Sequence, residues 1–224
     1  MRWVHFLTAI LCCLTSIEIT ASTLSIPLSL ETGWEVLRYS RIKQNRVRFD
    51  NEGLTIEVDN SAGPVIYPLD EASRIQAVSF SLEISGDINL GNMIQGDKGA
   101  DDFVFRLGLV YEGDQTLNFL QRRFSAPWVQ RLFHLAPKGT GVDPIEFYNV
   151  YSDSRLAGKS RSHPLSDLLH ESFIFAQPRD GKLTRRLDLN KSTRVLALWI
   201  SVDGDDTGSR FTTRITDLKL HLPE

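Results

Sequence analysis

Residues 76–85, QAVSFSLEIS, decide the fold class, because apolar and polar side chains alternate along their whole length. The apolar positions are Val78, Phe80, Leu82 and Ile84. A β-strand points successive side chains to opposite faces, whereas an α-helix groups positions three and four residues apart. The stretch therefore predicts a strand with one face in a core and the other face in solvent.

The rest of the chain carries the same signal in shorter segments, which are separated by Gly, Asn, Asp and Pro. The further predicted strands are 54–59, 103–111, 145–151, 173–176, 183–189, 195–202 and 211–222. Strands and helices do not alternate regularly, as they would in a parallel α/β sheet. We therefore predict an all-β fold, an antiparallel β-sandwich of the jelly-roll, galactose-binding-like type. A lipocalin-like closed barrel is the alternative.

Two short helices are predicted to interrupt the strands. Residues 125–135 offer Ser125 as a capping residue, Pro127 in the first turn and apolar residues at helical spacing. Residues 162–171 show a similar pattern. Both lie in the segment 117–171, which interrupts the strand pattern.

Residues 1–21 have the composition of a secretory signal peptide. Arg2 precedes an apolar run without an acidic residue until Glu18, and Thr20-Ala21 provides small residues for cleavage. The run is shorter than the roughly 20 residues that a membrane-spanning helix needs. We predict a cleaved signal, with an uncleaved anchor as the alternative, and a periplasmic or secreted location.

Both cysteines, Cys12 and Cys13, fall inside this segment. The remaining chain, residues 22–224, would then have no disulfide and no thiolate site. Its length is typical of one domain with a sizeable core. We predict a single β-sandwich domain at 22–224.

Composition and charge argue against several classes of protein and partner. Of the 224 residues, 42% are hydrophobic and 24% are charged, which is the balance of a globular chain and not of a disordered or fibrous one. The formal net charge is −3, and basic residues occur in pairs such as Arg122-Arg123. Nucleic-acid-binding domains carry a basic patch, so we predict no nucleic acid partner.

Residues 203–207, DGDDT, place three carboxylates just after the predicted strand 195–202. Carboxylates this close repel one another unless they are neutralised, and Ca²⁺ takes about six to eight oxygen ligands. Asp203, Asp205 and Asp206 are therefore candidate ligands of a structural Ca²⁺ ion, although their spacing is not that of an EF-hand loop. The alternative is a polar turn, because Asp and Gly tolerate unusual backbone angles.

A second acidic pair, Asp101-Asp102, stands just before the predicted strand 103–111. If this strand runs antiparallel to strand 195–202, both acidic groups lie at the same end of the sheet. Arg106 would then reach one of these carboxylates. The predicted polar residues of a ligand-binding site are Asp101, Asp102, Arg106, Asp205, Asp206 and Thr207.

A sugar site also needs an aromatic surface, because a flat ring packs against the apolar face of a pyranose. We predict that Trp128 or Tyr148 supplies this surface. Trp199 lies between Leu198 and Ile200, so it is assigned to the core. The sequence has no Gly-x-Ser-x-Gly elbow and no histidines at zinc-ligand spacing, so no catalytic residue is predicted.

The order of these motifs resembles a bacterial family of exported proteins, domain of unknown function 3047. The resemblance rests on Gly33-Trp34, on Asp101-Asp102-Phe103 opening a strand that contains Arg106, and on the turn at 203–207. It spans most of residues 22–224 and departs from the family pattern at about 117–171. It implies a sandwich related to carbohydrate-binding modules. Because the family has no established activity, the resemblance implies a fold more than a function.

Together these features favour an exported, non-catalytic module that binds an envelope or extracellular polysaccharide. One alternative is a carbohydrate-active enzyme, a lyase or glycoside hydrolase, that uses the carboxylates of Asp101-Asp102 and residues 203–207, which we call the acidic rim. The other is an envelope scaffold that binds a protein partner, which an apolar patch on 125–171 without a concave groove would favour.

Overall fold

Two β-sheets face each other in the computed structural model, which describes residues 22–164 and 166–223. Strands and helices are numbered separately in chain order. The elements are β1 (Thr23–Ser25), β2 (Glu35–Val36), β3 (Arg46–Asp50), β4 (Gly53–Asp59), β5 (Ala62–Arg74), β6 (Ala77–Ser85), β7 (Phe105–Gly113), α1 (Phe119–Phe124), α2 (Pro127–Phe133), β8 (Gly141–Val142), β9 (Ile145–Tyr151), β10 (Ser160–His163), β11 (Ser166–Ala176), β12 (Lys182–Asp188), β13 (Arg194–Asp203) and β14 (Arg210–His221).

The first sheet, sheet A, has the strand order β12-β6-β14-β4-β3, and β1 also pairs with β14. The second, sheet B, has the order β10-β11-β9-β7-β13-β5-β2, and β8 also pairs with β7. All pairs are antiparallel except β9 with β11, which run parallel. The predicted all-β, jelly-roll sandwich is confirmed, with this one parallel pair as a departure. The closed-barrel alternative is wrong, because the described strands form two separate sheets.

The main core lies between the two sheets and is built from the alternation seen in the sequence. On β6, Val78, Phe80 and Leu82 are buried, and the ring centroid of Phe80 lies 5.4 Å from that of Phe105 on β7. Removing such side chains from water is the main favourable contribution to folding. The strand predicted at 76–85 is confirmed.

The long strand β5 is absent from the sequence predictions because Gly63, Pro64 and Pro68 interrupt its pattern. Proline lacks the N–H that a central strand donates, so it is normally confined to positions near a sheet edge. Strand β5 pairs with β13 along most of its length on one side but only with two residues of β2 on the other. The prolines are therefore accommodated next to the edge of sheet B.

The helix predicted at 162–171 is wrong, because β10 and the first part of β11 form a hairpin there. The strand conformation buries Glu171 and Phe173, which are 1% exposed each. Pairing with β9 also gives the backbone of β11 its hydrogen bonds.

The helix predicted at 125–135 is present as α2, but Ser125 is not its capping residue. Ala126 occupies the N-cap, and no side chain caps the helix. The carbonyl oxygen of Ser125 instead accepts a hydrogen bond from Nε2 of Gln130 at 2.8 Å. The buried Leu132 packs α2 onto the outer face of sheet B, next to Trp199 and Phe147.

The predicted signal peptide, residues 1–21, lies outside the described residues. Within the described ranges, neither helix is long and apolar enough to cross a membrane.

Candidate ligand-binding site

The outer face of sheet B changes from apolar to charged along three neighbouring strands, β13, β7 and β9. Their registers align the side chains in rows, because every second residue of a strand points to this face. From the apolar to the charged end, the rows are Ala197 and Val110, then Trp199, Gly108 and Phe147, and then Ser201, Arg106 and Asn149. The site therefore combines aromatic and charged groups on one rigid surface.

Gly108 allows the two aromatic rings of the middle row to meet. A Cβ atom at this position would lie 2.6 Å from Cε1 of Phe147 and 3.0 Å from Cβ of Trp199. Both separations are shorter than ordinary contacts, so a side chain here would displace a ring. The rings of Phe147 and Trp199 pack edge to face over the glycine, with their centroids 6.1 Å apart.

A cavity of about 440 Å³ opens above this face, within the range of about 300–1,000 Å³ that is usual for ligand sites. Its aromatic wall includes Trp128 of α2 and Tyr39 of the loop before β3. Trp128 packs edge to face against Trp199, at a centroid distance of 5.8 Å, and against Tyr39, at 6.0 Å. The acidic residues Asp101, Asp102, Asp203, Asp205 and Asp206, together with Arg106, form its charged wall.

Arg106 occupies the centre of the charged wall, and its side chain is only 8% exposed. Its Nη1 donates to Oε1 of Glu171 at 2.8 Å, and its Nη2 donates to the carbonyl oxygen of Asp101 at 2.5 Å. Its Nε lies 2.9 Å from Oδ2 of Asp203, and its guanidinium lies 4.3 Å from the ring centroid of Phe103. Burial opposes the charge, yet Asp203 and Glu171 raise the pKa of Arg106, so it remains a cation.

A second cation, Arg161 of β10, completes the network. Its Nε donates to Oε2 of Glu171 at 2.7 Å, and its Nη2 donates to Oδ1 of Asp101 at 2.5 Å. The ring nitrogen Nε2 of His163 lies 3.1 Å from Oδ2 of Asp101. Glu171 is thus shared between two arginines, which is how an almost completely buried carboxylate is compensated.

The two acids that flank Arg106 have opposite pKa shifts. Burial opposes ionisation of Asp101, but His163, Arg106 and Arg161 outweigh this effect and hold its pKa at about 2. Burial raises the pKa of Asp203 to about 7, and neither Arg106 nor the hydroxyl of Ser201 fully offsets it. Asp203 shares Arg106 with Asp101 and Glu171, and both of these also pair with Arg161. The negative charge of Asp203 is therefore the least compensated of the three.

The predicted meeting of the two acidic segments is confirmed, and Asp102 holds them together. The carboxylate of Asp102 is buried and accepts two hydrogen bonds from Thr207, one from the backbone N–H at 2.7 Å and one from the hydroxyl at 2.6 Å. In return, the backbone N–H of Asp101 donates to Oδ2 of Asp206 at 3.1 Å. Strands β7 and β13 are antiparallel neighbours, as this geometry requires. We refer to these contacts as the Asp102 clasp.

The predicted calcium site is not formed by the described residues. Asp203, Asp205 and Asp206 do not converge as a metal-binding group; indeed, no three acidic or metal-ligating side chains of the described ranges do so. Asp203 is turned inward to Arg106, whereas Asp206 is exposed and pairs with the backbone of Asp101. The alternative, a polar turn, fits residues 205–208, which form a turn closed by a hydrogen bond from the backbone N–H of Ser209 to the carbonyl oxygen of Gly204 at 2.9 Å. Gly208 in this turn has a positive φ of 63°.

Tyr148 does not line the cavity, so the structure does not bring it together with the acidic residues that were predicted for the same site. It is on β9 between Phe147 and Asn149, and the alternation of a strand turns it to the core between the sheets. Phe147 faces the cavity in its place. Trp199 is buried, as predicted, but its 2% exposed ring also forms part of the cavity wall.

Sequence reasoning also missed Arg161, His163, Glu171 and Tyr39. His163 and Glu171 were assigned to the helix predicted at 162–171, and Arg161 stands just before it. The alternation of Leu169, Glu171 and Phe173 is instead the signal of a strand, which would have placed Glu171 opposite β9. Tyr39 lies before the first strand that the sequence predicts, at 54–59, and no sequence signal identifies it.

Comparisons with known proteins give structural relatives only. No family model and no curated protein matches the chain. A mutant of CBM29-2, a family 29 carbohydrate-binding module complexed with cellulohexaose, is 10% identical and has a TM-score of 0.41. That alignment covers 90% of this chain and 92% of the module. The xylan-binding module CBM15 is 8% identical with a TM-score of 0.40, and the alignment covers 92% of this chain and 99% of the module. At these values, ligand binding has to be inferred from the site itself.

Proposed function

We propose that this protein is a non-catalytic module that binds a polysaccharide in the cavity on the outer face of sheet B. The observation that carries the proposal is the meeting of an aromatic wall and a hydrogen-bonding wall in one cavity. Trp128, Tyr39 and Phe147 offer ring surface for the apolar face of a pyranose. Asp203, Asp205 and the rim backbone offer partners for its hydroxyl groups.

The charged wall is held rigidly, which favours binding over bond cleavage. The carboxylate of Asp101 is held in one position by Arg106, Arg161 and His163. A rigid, pre-organised wall lowers the ordering cost of ligand binding.

The proposal is tested by isothermal titration calorimetry with hexasaccharides of glucose, mannose, xylose, N-acetylglucosamine and glucosamine. We expect at least one to bind, and Trp128→Ala to weaken that binding about tenfold through loss of ring stacking. Phe124→Ala is the matched control, because Phe124 belongs to the same segment but is 76% exposed and lies outside the cavity lining. Absence of binding to every hexasaccharide at millimolar concentration would overturn the proposal.

A glycoside hydrolase or lyase is the second candidate, and the divergent acids favour it. Such chemistry uses a pair of acids, one with a pKa near 7 and one that stays ionised. Asp203 has a pKa of about 7, Asp101 has a pKa of about 2, and both line the cavity. Incubation with the same hexasaccharides, followed by measurement of new reducing ends or unsaturated products, separates the two functions. A binding module releases neither.

Export to the periplasm or the cell exterior is part of the proposal and rests on the sequence of residues 1–21. The ligand would then be an envelope glycan or an exopolysaccharide. Membership of the domain of unknown function 3047 family is likewise proposed on its motifs alone, and an envelope protein partner stays a prediction. Cell fractionation of the full chain, with detection of a mature form that starts near Ser22, tests the export.

A further inference from the structure

The cavity has more negative than positive groups. The lining residues that the structure describes include two arginines, Arg41 and Arg106, and five aspartates. The aspartates are Asp101, Asp102, Asp203, Asp205 and Asp206. Arg161, which lies behind the wall, is balanced by the buried Glu171. The field in the cavity therefore favours a cationic group over an anionic one.

Two of these carboxylates are already engaged within the fold. Asp101 is paired with Arg106, Arg161 and His163, as described above, and Asp102 accepts hydrogen bonds from the rim backbone and from Thr207. A ligand cation must therefore be recognised by other acceptors in the cavity.

Asp205 is the acceptor that remains, because Asp206 accepts the backbone N–H of Asp101 and Asp203 pairs with Arg106. Asp205 is half-buried and forms no ion pair with any residue in the described ranges. Asp203 is only 7% exposed, and its Oδ2 makes no hydrogen bond within those ranges, although Nε of Arg106 lies 2.9 Å away. This buried oxygen faces the Arg106 guanidinium and is out of reach of a ligand, so Asp205 is the carboxylate left for a cation.

The aromatic wall suits the same kind of group. A cation over the face of a tryptophan or tyrosine ring is attracted by the negative charge of that face. Trp128 and Tyr39 line the cavity together with Asp205. An ammonium group carries three N–H donors and no acceptor, so it satisfies carboxylates and a ring face at the same time.

From this combination we infer that the cavity selects glycans that contain a hexosamine with a free amino group. The inference rests on the proposed carbohydrate binding and specifies its ligand. An N-acetylated hexosamine is neutral and presents an extra carbonyl acceptor to the acidic wall. A uronic acid brings a further negative charge into it. Both are therefore disfavoured.

Calorimetry with hexasaccharides of glucosamine, N-acetylglucosamine, glucose and galacturonic acid at pH 6 tests the inference. We expect the glucosamine oligomer to bind at least about tenfold more tightly than the other three, as an ion pair and a cation–π contact in a partly buried site allow. Asp205→Asn should reduce this preference at least about threefold, because it removes the negative charge that an ammonium group meets and keeps a hydrogen-bonding side chain. The control is Asp180→Asn, which changes the same charge in the exposed turn before β12.

Two outcomes overturn the inference. Binding of a neutral or acidic hexasaccharide as tightly as the glucosamine oligomer excludes amine selection but leaves the carbohydrate-binding function standing. Absence of binding to all four excludes the function as well. An Asp205→Asn variant that melts like the wild type but keeps the full preference excludes the assigned role of Asp205.

Discussion

Replacement of Arg106 by methionine probes the centre of the charged wall. The variant keeps a long side chain but removes the cation that lies 2.8 Å from Glu171 and 2.9 Å from Asp203. Glu171 and Asp101 retain Arg161, whereas Asp203 loses the only cation with which it pairs among the described residues. Removing one partner of a buried pair typically costs about 3–5 kcal/mol, so we expect a loss of that size at pH 8.

The loss should depend on pH in a defined direction. The pKa of Asp203 is about 7 in the folded protein and 3.8 in the unfolded chain. The folded state therefore holds this proton more tightly, and the stability that the neutral acid provides is lost as the pH rises through 7. Removing Arg106 disfavours the ionised form of Asp203 further, because it takes away the cation that pairs with this carboxylate. At pH 5 Asp203 is protonated in both proteins, so Arg106→Met should cost less at pH 5 than at pH 8.

Urea unfolding followed by circular dichroism at pH 5 and pH 8 measures both effects. Arg46→Met is the matched control, because the side chain of Arg46 is 72% exposed and lies 3.8 Å from Glu57. Such a surface pair is worth less than about 1 kcal/mol. A loss for Arg106→Met no larger than that of the control, or a larger loss at pH 5 than at pH 8, would refute this account of the network.

Three further predictions concern the other parts of the site. Gly108→Ala should cost about 1–3 kcal/mol in urea unfolding, because its Cβ would lie 2.6 Å from Phe147; unchanged stability would show that the rings have room to move. Asp203→Asn should flatten the rise of the melting temperature that we expect for the wild type between pH 8 and pH 5; a persisting slope would assign it to another group. Tyr148→Phe should leave hexasaccharide affinity unchanged in calorimetry, because Tyr148 faces the core; weakened binding would restore it to the site.

The fold class could be predicted because most strands of the sandwich are half-buried and alternate visibly. The strands at 76–85 and 145–151 lie within a residue of their predicted ends. Strand β5 could not be predicted, since its prolines are tolerated only because of its position beside the edge of sheet B. The strand at 166–176 was hidden because Glu171 looks solvent-exposed in sequence and is buried only through its two arginines.

The candidate site was predictable where it depends on strand direction and not where it depends on side-chain partners. The meeting of Asp101-Asp102 with residues 203–207 follows from antiparallel pairing. The sequence does not reveal that Asp203 turns inward to Arg106, because a carboxylate's choice between a metal ion and an arginine depends on what the fold places nearby. Nor does it distinguish Phe147 from Tyr148, since one residue of register decides which ring faces the cavity.

The Asp102 clasp has a consequence for the kinetics of recognition. Because one buried carboxylate already ties the turn at 203–207 to the segment before β7, this rim holds its shape before a ligand arrives. Association then needs no slow closing step, and the observed rate should rise in proportion to ligand concentration without reaching a plateau. Differences in affinity among glycans should therefore appear mainly as differences in how long each remains bound.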